Sequence, residues 1–139
     1  MRDRLYEQEL HKHIAKMTRI LDRYMEGDTQ WSEIDVLAIE RGLQILIESM
    51  VGLSRYVADT CFGINVSRSR EAIDELWSLG VLNQEEREAL TKIIGFRNVL
   101  VHDYLNVDEA IVHAIVKKQE YGFIAGIARN LMLVLDEKG

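Results

Sequence analysis

The sequence predicts an all-α protein, a single up-and-down bundle of about five helices spanning residues 1–139. Three observations predict this class. The 139 residues include no proline, the strongest helix breaker. Apolar residues recur at spacings of three and four through most of the chain, and no stretch holds the strict alternation of a half-buried strand. The interruptions between periodic stretches carry residues that start and stop helices. A chain that is 47% hydrophobic and 29% charged has the composition of a folded domain rather than a disordered one. At this length a domain buries roughly 70% of its unfolded surface.

The first helix is predicted from about Arg4 to Met25, where Leu5, Leu10, Ile14, Met17, Ile20, Leu21 and Tyr24 fall at near-helical spacing. A turn follows over residues 26–31, with Gly27 as a stop. Ser32 caps the second helix, and Glu33 and Asp35 in its first turn suit the positive end of the dipole. That helix runs to about Cys61. It is apolar on more than one face, so it is expected at the centre of the bundle. After a loop at residues 62–66, Ser69 or Ser67 opens a third helix that ends at Gly80. Asn83 caps the fourth, whose first turn is acidic. Asn106 or Asp108 starts a fifth that is expected to run almost to the C-terminus. No internal repeat, linker or low-complexity segment divides the chain.

The bulk properties narrow the function. The single cysteine, Cys61, excludes an internal disulfide. No apolar run reaches membrane-spanning length, and Met1–Arg4 lacks the start of a signal peptide, so a cytoplasmic protein with no membrane partner is expected. The net charge of −6 argues against a broad basic surface for nucleic acid. It leaves room for a local cationic cluster, for which Arg55, Arg68, Arg70 and Arg97 are the candidates.

The segment Arg97-Asn98-Val99-Leu100-Val101-His102-Asp103-Tyr104 closes the fourth helix. It collects the parts needed to cut RNA without a metal. Arginine is a permanent cation that forks onto phosphate. Histidine takes or gives a proton near neutral pH. RNA brings its own nucleophile, the 2′-hydroxyl. In this reading Arg97 and His102 are catalytic, while Asn98 and Tyr104 position phosphate oxygens. On an ideal helix five residues advance about 140° beyond one turn, so Arg97 and His102 do not share a face. For both to meet one phosphate, Arg97 reaches round the helix, the helix ends near His102, or a second copy of the chain completes the cleft. The plainer alternative is that both side chains serve the carbonyls and dipole at a helix C-terminus.

Arg-x-x-x-x-His-x-Tyr, with Gly95-Phe96 before it and Asn98 after the arginine, resembles the signature of the HEPN domain in HepT-like toxins. These are ribonucleases of bacterial and archaeal toxin–antitoxin pairs. The segment Ile39–Glu48 and the run Gly80-Val81-Leu82 also resemble the family, so the likeness covers nearly the whole chain. It implies a HEPN-like, dimeric bundle with the two motifs facing each other across the interface. It implies a nucleotidyltransferase antitoxin of the MNT type that transfers AMP to the motif tyrosine, here Tyr104. No metal and no cofactor are expected. The competing function is a non-enzymatic helical partner or substrate-binding module for a nucleotidyltransferase.

Other residues carry weaker signals. Arg68 and Arg70 at the start of the third helix oppose its dipole, which is compatible with RNA binding or with a solvated turn. Glu40 and Arg41 are candidates to support Arg97. Gly122-x-x-x-Gly126 suggests a close helix approach, in the core or at a dimer seam. His11 and His13 alternate on a helix, poor spacing for joint ligation, and are read as solvated; His113, Trp31 and Trp77 are read as packing residues.

Overall fold

The computed structural model describes residues 2–27, 30–103, 105 and 107–139. Among these it contains six helices: α1 (Arg4–Glu26), α2 (Glu33–Phe62), α3 (Ser69–Ser78), α4 (Gln84–His102), α5 (Glu109–Lys117) and α6 (Phe123–Lys138). The starts follow local chemistry. Asp3 accepts a hydrogen bond from the Tyr6 N–H. Ser32 and Asp35 form a reciprocal capping box, as do Asn83 and Glu86. Asp108 opens α5 by accepting from Ala110. Gly63 takes the left-handed conformation that ends α2, with φ of 65°.

The single long helix expected after residue 108 is two helices. The chain breaks at Gln119, which adopts a left-handed φ of 52°. The cause is tertiary. Asp22 on α1 accepts from the Gln119 amide at 3.0 Å and from the Tyr121 hydroxyl at 2.6 Å. Tyr121 is wholly buried, so seating it forces the turn. Burial and the Asp22 carboxylate push its phenol well above the ordinary range. At Gly122 an added Cβ would lie 3.1 Å from the Gln119 carbonyl, so the glycine serves this turn rather than a helix crossing. At Gly126 an added Cβ meets nothing within 4 Å. The expected packing of the glycine pair within the core is therefore absent.

The central place of α2 follows from its side chains. Leu43, Leu46, Ile47, Leu53 and Val57 are fully buried, and α2 packs on α1, α3, α4 and α6. Leu46→Ala is expected to cost about 2–5 kcal/mol, read as a lower urea midpoint. Lys117 ties α5 to the end of α1, donating to the carbonyls of Tyr24, Met25 and Gly27 at 2.9–3.1 Å. At the other end Arg2 forks onto Glu7 at 2.6 and 3.1 Å, and the Tyr56 hydroxyl donates to Glu7 at 2.6 Å. The Arg2 bonds hold the Glu7 carboxyl below its usual range. A depressed folded pKa stabilises above the unfolded value of about 4.3, and that stability is lost as pH falls through the folded value. Glu7→Gln is thus expected to flatten the acid limb of stability against pH in urea titrations. No helix among the described residues is long and apolar enough to cross a membrane.

Candidate active site at the junction of α2, α3 and α4

The position of Arg97 is set by the register of α4. Ile93, Ile94 and Leu100 form its buried stripe, and Arg97 lies three residues from both Ile94 and Leu100, on the same side. Its side chain is therefore carried inward, toward α3, and is only half-exposed. Asn98 and His102, four residues apart, lie on another face and are exposed. The helix ends at His102. The next residue, Asp103, leaves the helical conformation with φ of −143° and ψ of 45°, and its N–H closes on the Val99 carbonyl at 3.0 Å. The helix thus ends at the motif histidine, yet within one chain Arg97 and His102 lie on different faces of α4. Tyr104 lies outside the described residues.

Arg97 meets a second arginine. Its Nη2 donates to the Ser69 hydroxyl at 3.1 Å. The Nη2 of Arg55, from α2, donates to the same hydroxyl at 3.3 Å and to the Ser67 carbonyl at 2.7 Å. Two cations are thus gathered on one neutral oxygen in the first turn of α3. Like charges about 6 Å apart repel by roughly 3 kcal/mol at an effective dielectric of 20, less where water screens them. Among the described residues no carboxylate pairs with either arginine to offset this repulsion. The Nε atoms of both are buried without a hydrogen-bond partner among the described residues. An arrangement of this kind is suited to an anion.

Of the four arginines expected to cluster, two do so. Arg68 is 84% exposed in its side chain and sits 3.8 Å from Glu71. Arg70 faces a separate shallow cleft with Arg87, Lys92, Asp74 and Glu88. Glu40 and Arg41 do not support Arg97. Burial first, and then the charge of Glu109, raise the Glu40 carboxyl, which places it beside α5. Arg41 lines a groove with His13, Lys16 and Glu48 on the α1 side. His11 and His13 are exposed, and the His113 ring packs 4.4 Å from that of Trp31. Trp77 lies under the Arg87 guanidinium at 4.0 Å.

Sequence reasoning missed Ser69 as part of the site. It was read as one of two residues that open α3, and it is the first residue of that helix, with Arg68 at the cap position and no side-chain cap bond. The Ser69 hydroxyl is used by the two arginines instead. Arg55 and Arg97 stand 14 and 28 residues from it, so only the packing of three helices reveals the group. Beside the motif lies an apolar surface. Val99, Val101, Leu105 and Ile111 are exposed, next to an open groove lined by Ile93, Phe96, Ile111, Ile115 and Phe123.

The fold is similar to those of solved toxin–antitoxin proteins. A tri-AMPylated HEPN toxin from Shewanella oneidensis, solved in complex with its MNT antitoxin, matches with a TM-score of 0.78 at 18% identity, covering 93% of this chain and 98% of that one. The structure of a toxin–antitoxin with AMP-PNP matches with a TM-score of 0.78 at 17% identity, over 92% of this chain and 99% of the other. The chain belongs to the ribonuclease HepT-like family, whose model matches residues 10–128. It is 27% identical over 96 residues to the putative RNase YutE of Bacillus subtilis (strain 168), which covers 68% of this chain and 67% of that protein. The structure of YutE, described as a cytosolic protein of unknown function, matches with a TM-score of 0.70 at 23% identity, over 88% of this chain and 87% of that one.

Proposed function

We propose that this protein is the toxin of a type VII-like toxin–antitoxin pair, a cytoplasmic endoribonuclease that cuts RNA without a metal through Arg97 and His102. The observation that carries the reading is the state of Arg97. In a chain of the HepT-like family, it is held half-buried with no carboxylate partner among the described residues, on a helix that ends at His102. His102 acts as general base on the 2′-hydroxyl or as general acid on the leaving oxygen. Arg97 binds the phosphate and stabilises the charge that develops in the transition state. Asn98, on the same face as His102, and Tyr104 orient phosphate oxygens. Arg68 and Arg70 are assigned no role in the cut itself, since Arg68 is exposed beside Glu71 and Arg70 lines a cleft with Arg87 and Asp74.

The test is purified protein with single-stranded RNA in EDTA. Cleavage leaving a 2′,3′-cyclic phosphate is expected, and DNA of the same sequence should survive for want of the 2′-hydroxyl. Activity abolished by EDTA and restored by magnesium overturns the metal-independent mechanism. Protein that binds a nucleotidyltransferase but leaves RNA intact points instead to the non-enzymatic helical partner.

The working unit in this proposal is a homodimer. Arg97 and His102 diverge within one chain, so a second motif facing the first brings an arginine and a histidine to one phosphate. The exposed Val99, Val101, Leu105 and Ile111 beside the motif supply apolar surface for such an interface. Light scattering at micromolar concentration is expected to give twice the mass of the chain; a fully active monomer refutes the dimer. The proposed antitoxin is an MNT-type nucleotidyltransferase, in keeping with the complex of the Shewanella oneidensis toxin.

A further inference from the structure

We propose that Arg55 is a second phosphate-binding residue of this site, coupled to Arg97 through the Ser69 hydroxyl. The inference rests on the ribonuclease reading above and adds to it a residue outside the motif. Both Nη2 atoms lie within 3.3 Å of the Ser69 Oγ, so the two guanidiniums are within two hydrogen-bond lengths of each other. Like charges gather in this way when an anion is to be shared. A guanidinium carries five N–H donors. Within the described protein only Nη2 of each arginine is used. The two Nε–H groups are shielded from solvent and have no acceptor among the described residues. Such donors are costly unless an acceptor completes them.

The three anchors come from three helices: Arg55 from α2, Ser69 from α3 and Arg97 from α4. The Ser67 carbonyl fixes the Arg55 head at 2.7 Å, so the pair is preorganised rather than drawn together by substrate. Each arginine offers its remaining donors to one phosphodiester, Arg97 at the reacting phosphate and Arg55 beside it. Ser69 is a positioning residue that sets the spacing between them. Arg55 thereby supplies RNA affinity to a protein with a net charge of −6.

The experiment measures binding of an uncleaved single-stranded RNA oligonucleotide to full-length His102→Ala protein across a salt series, with and without changes at Arg55 and Ser69. Arg55→Gln is expected to weaken binding about tenfold or more, the scale of one hydrogen bond to a charged group. It should also lower the slope of log affinity against log salt by about 0.7, the loss of one phosphate contact to a single strand. Arg55→Lys should restore the slope but not all the affinity, since an ammonium keeps the charge and loses the fork. Ser69→Ala removes no charge; it should weaken binding with the slope unchanged. In the active protein, Arg55→Gln should raise KM more than it lowers kcat.

Folded Arg55→Gln protein with unaltered affinity and slope overturns the proposal, as does Arg55→Lys with the slope of Arg55→Gln. Should Arg55→Gln not fold, the proposal is decided by Arg55→Lys and Ser69→Ala, and wild-type affinity in both overturns it. Wild-type protein that neither binds nor cuts RNA removes the ribonuclease reading and this inference together. RNA cleavage with an Arg55-independent salt slope removes the inference alone.

Discussion

Replacing His102 with alanine is expected to lower RNA cleavage by about 10²–10⁴-fold, the usual contribution of a positioned general acid or base. The change should leave the fold intact. His102 is exposed at the last position of α4, so the substitution opens no cavity and removes no core contact. The thermal midpoint and helical circular dichroism should stay close to wild type, while kcat falls and growth arrest on induction disappears. Arg97→Ala should lose activity on the same scale, with some loss of stability as well. The half-buried arginine gives up its bond to Ser69, and its aliphatic stem leaves the packing beside Ile94 and Leu100. Arg97→Lys keeps the charge but not the fork, and should recover only part of the activity. A His102→Ala protein that cuts RNA at the wild-type rate would exclude acid–base catalysis by this residue.

Legibility in the sequence followed the range of the forces involved. Helix starts at Ser32 and Asn83, and at Asp108 as one of two candidates (the other, Asn106, lies outside the described residues), were readable because a cap is local: the side chain bonds a backbone N–H two or three residues on. The central role of α2 was readable from its apolar faces. The break at Gln119 was not, because it is imposed by Asp22, 97 residues away. The motif was legible as a pattern of residue types, and α4 ends at His102, one of the alternatives that the pattern left open. The company of Arg97 was only half legible. Composition named four arginines, and the packing of α2, α3 and α4 chose Arg55 and left Arg68 and Arg70 outside. The intensity of apolar periodicity says which face of a helix is buried. It does not say which polar side chains from other helices meet there.

Incubation with the cognate nucleotidyltransferase, ATP and magnesium is expected to add AMP units to Tyr104 and to silence the ribonuclease. Tyr104 follows His102, the last residue of α4, by two positions in the sequence. Each AMP brings a phosphodiester anion and a bulky nucleoside. On the proposed mechanism the anion would pair with the arginines assigned to RNA, and the nucleoside would occupy the approach. Because Arg55 and Arg97 have no carboxylate partner among the described residues, a tethered phosphate competes with RNA at the effective concentration of an intramolecular ligand. Inhibition should then outlast removal of the nucleotidyltransferase, since the bond is covalent. Intact-mass analysis should show additions of AMP units, and peptide mapping should place them on Tyr104. Tyr104→Phe should escape neutralisation and remain toxic in the presence of the antitoxin, with activity reduced to the extent that the hydroxyl positions phosphate. Full inhibition of an unmodified toxin would mean that the nucleotidyltransferase acts by occluding the cleft, and Tyr104→Phe would then be inhibited as readily as wild type.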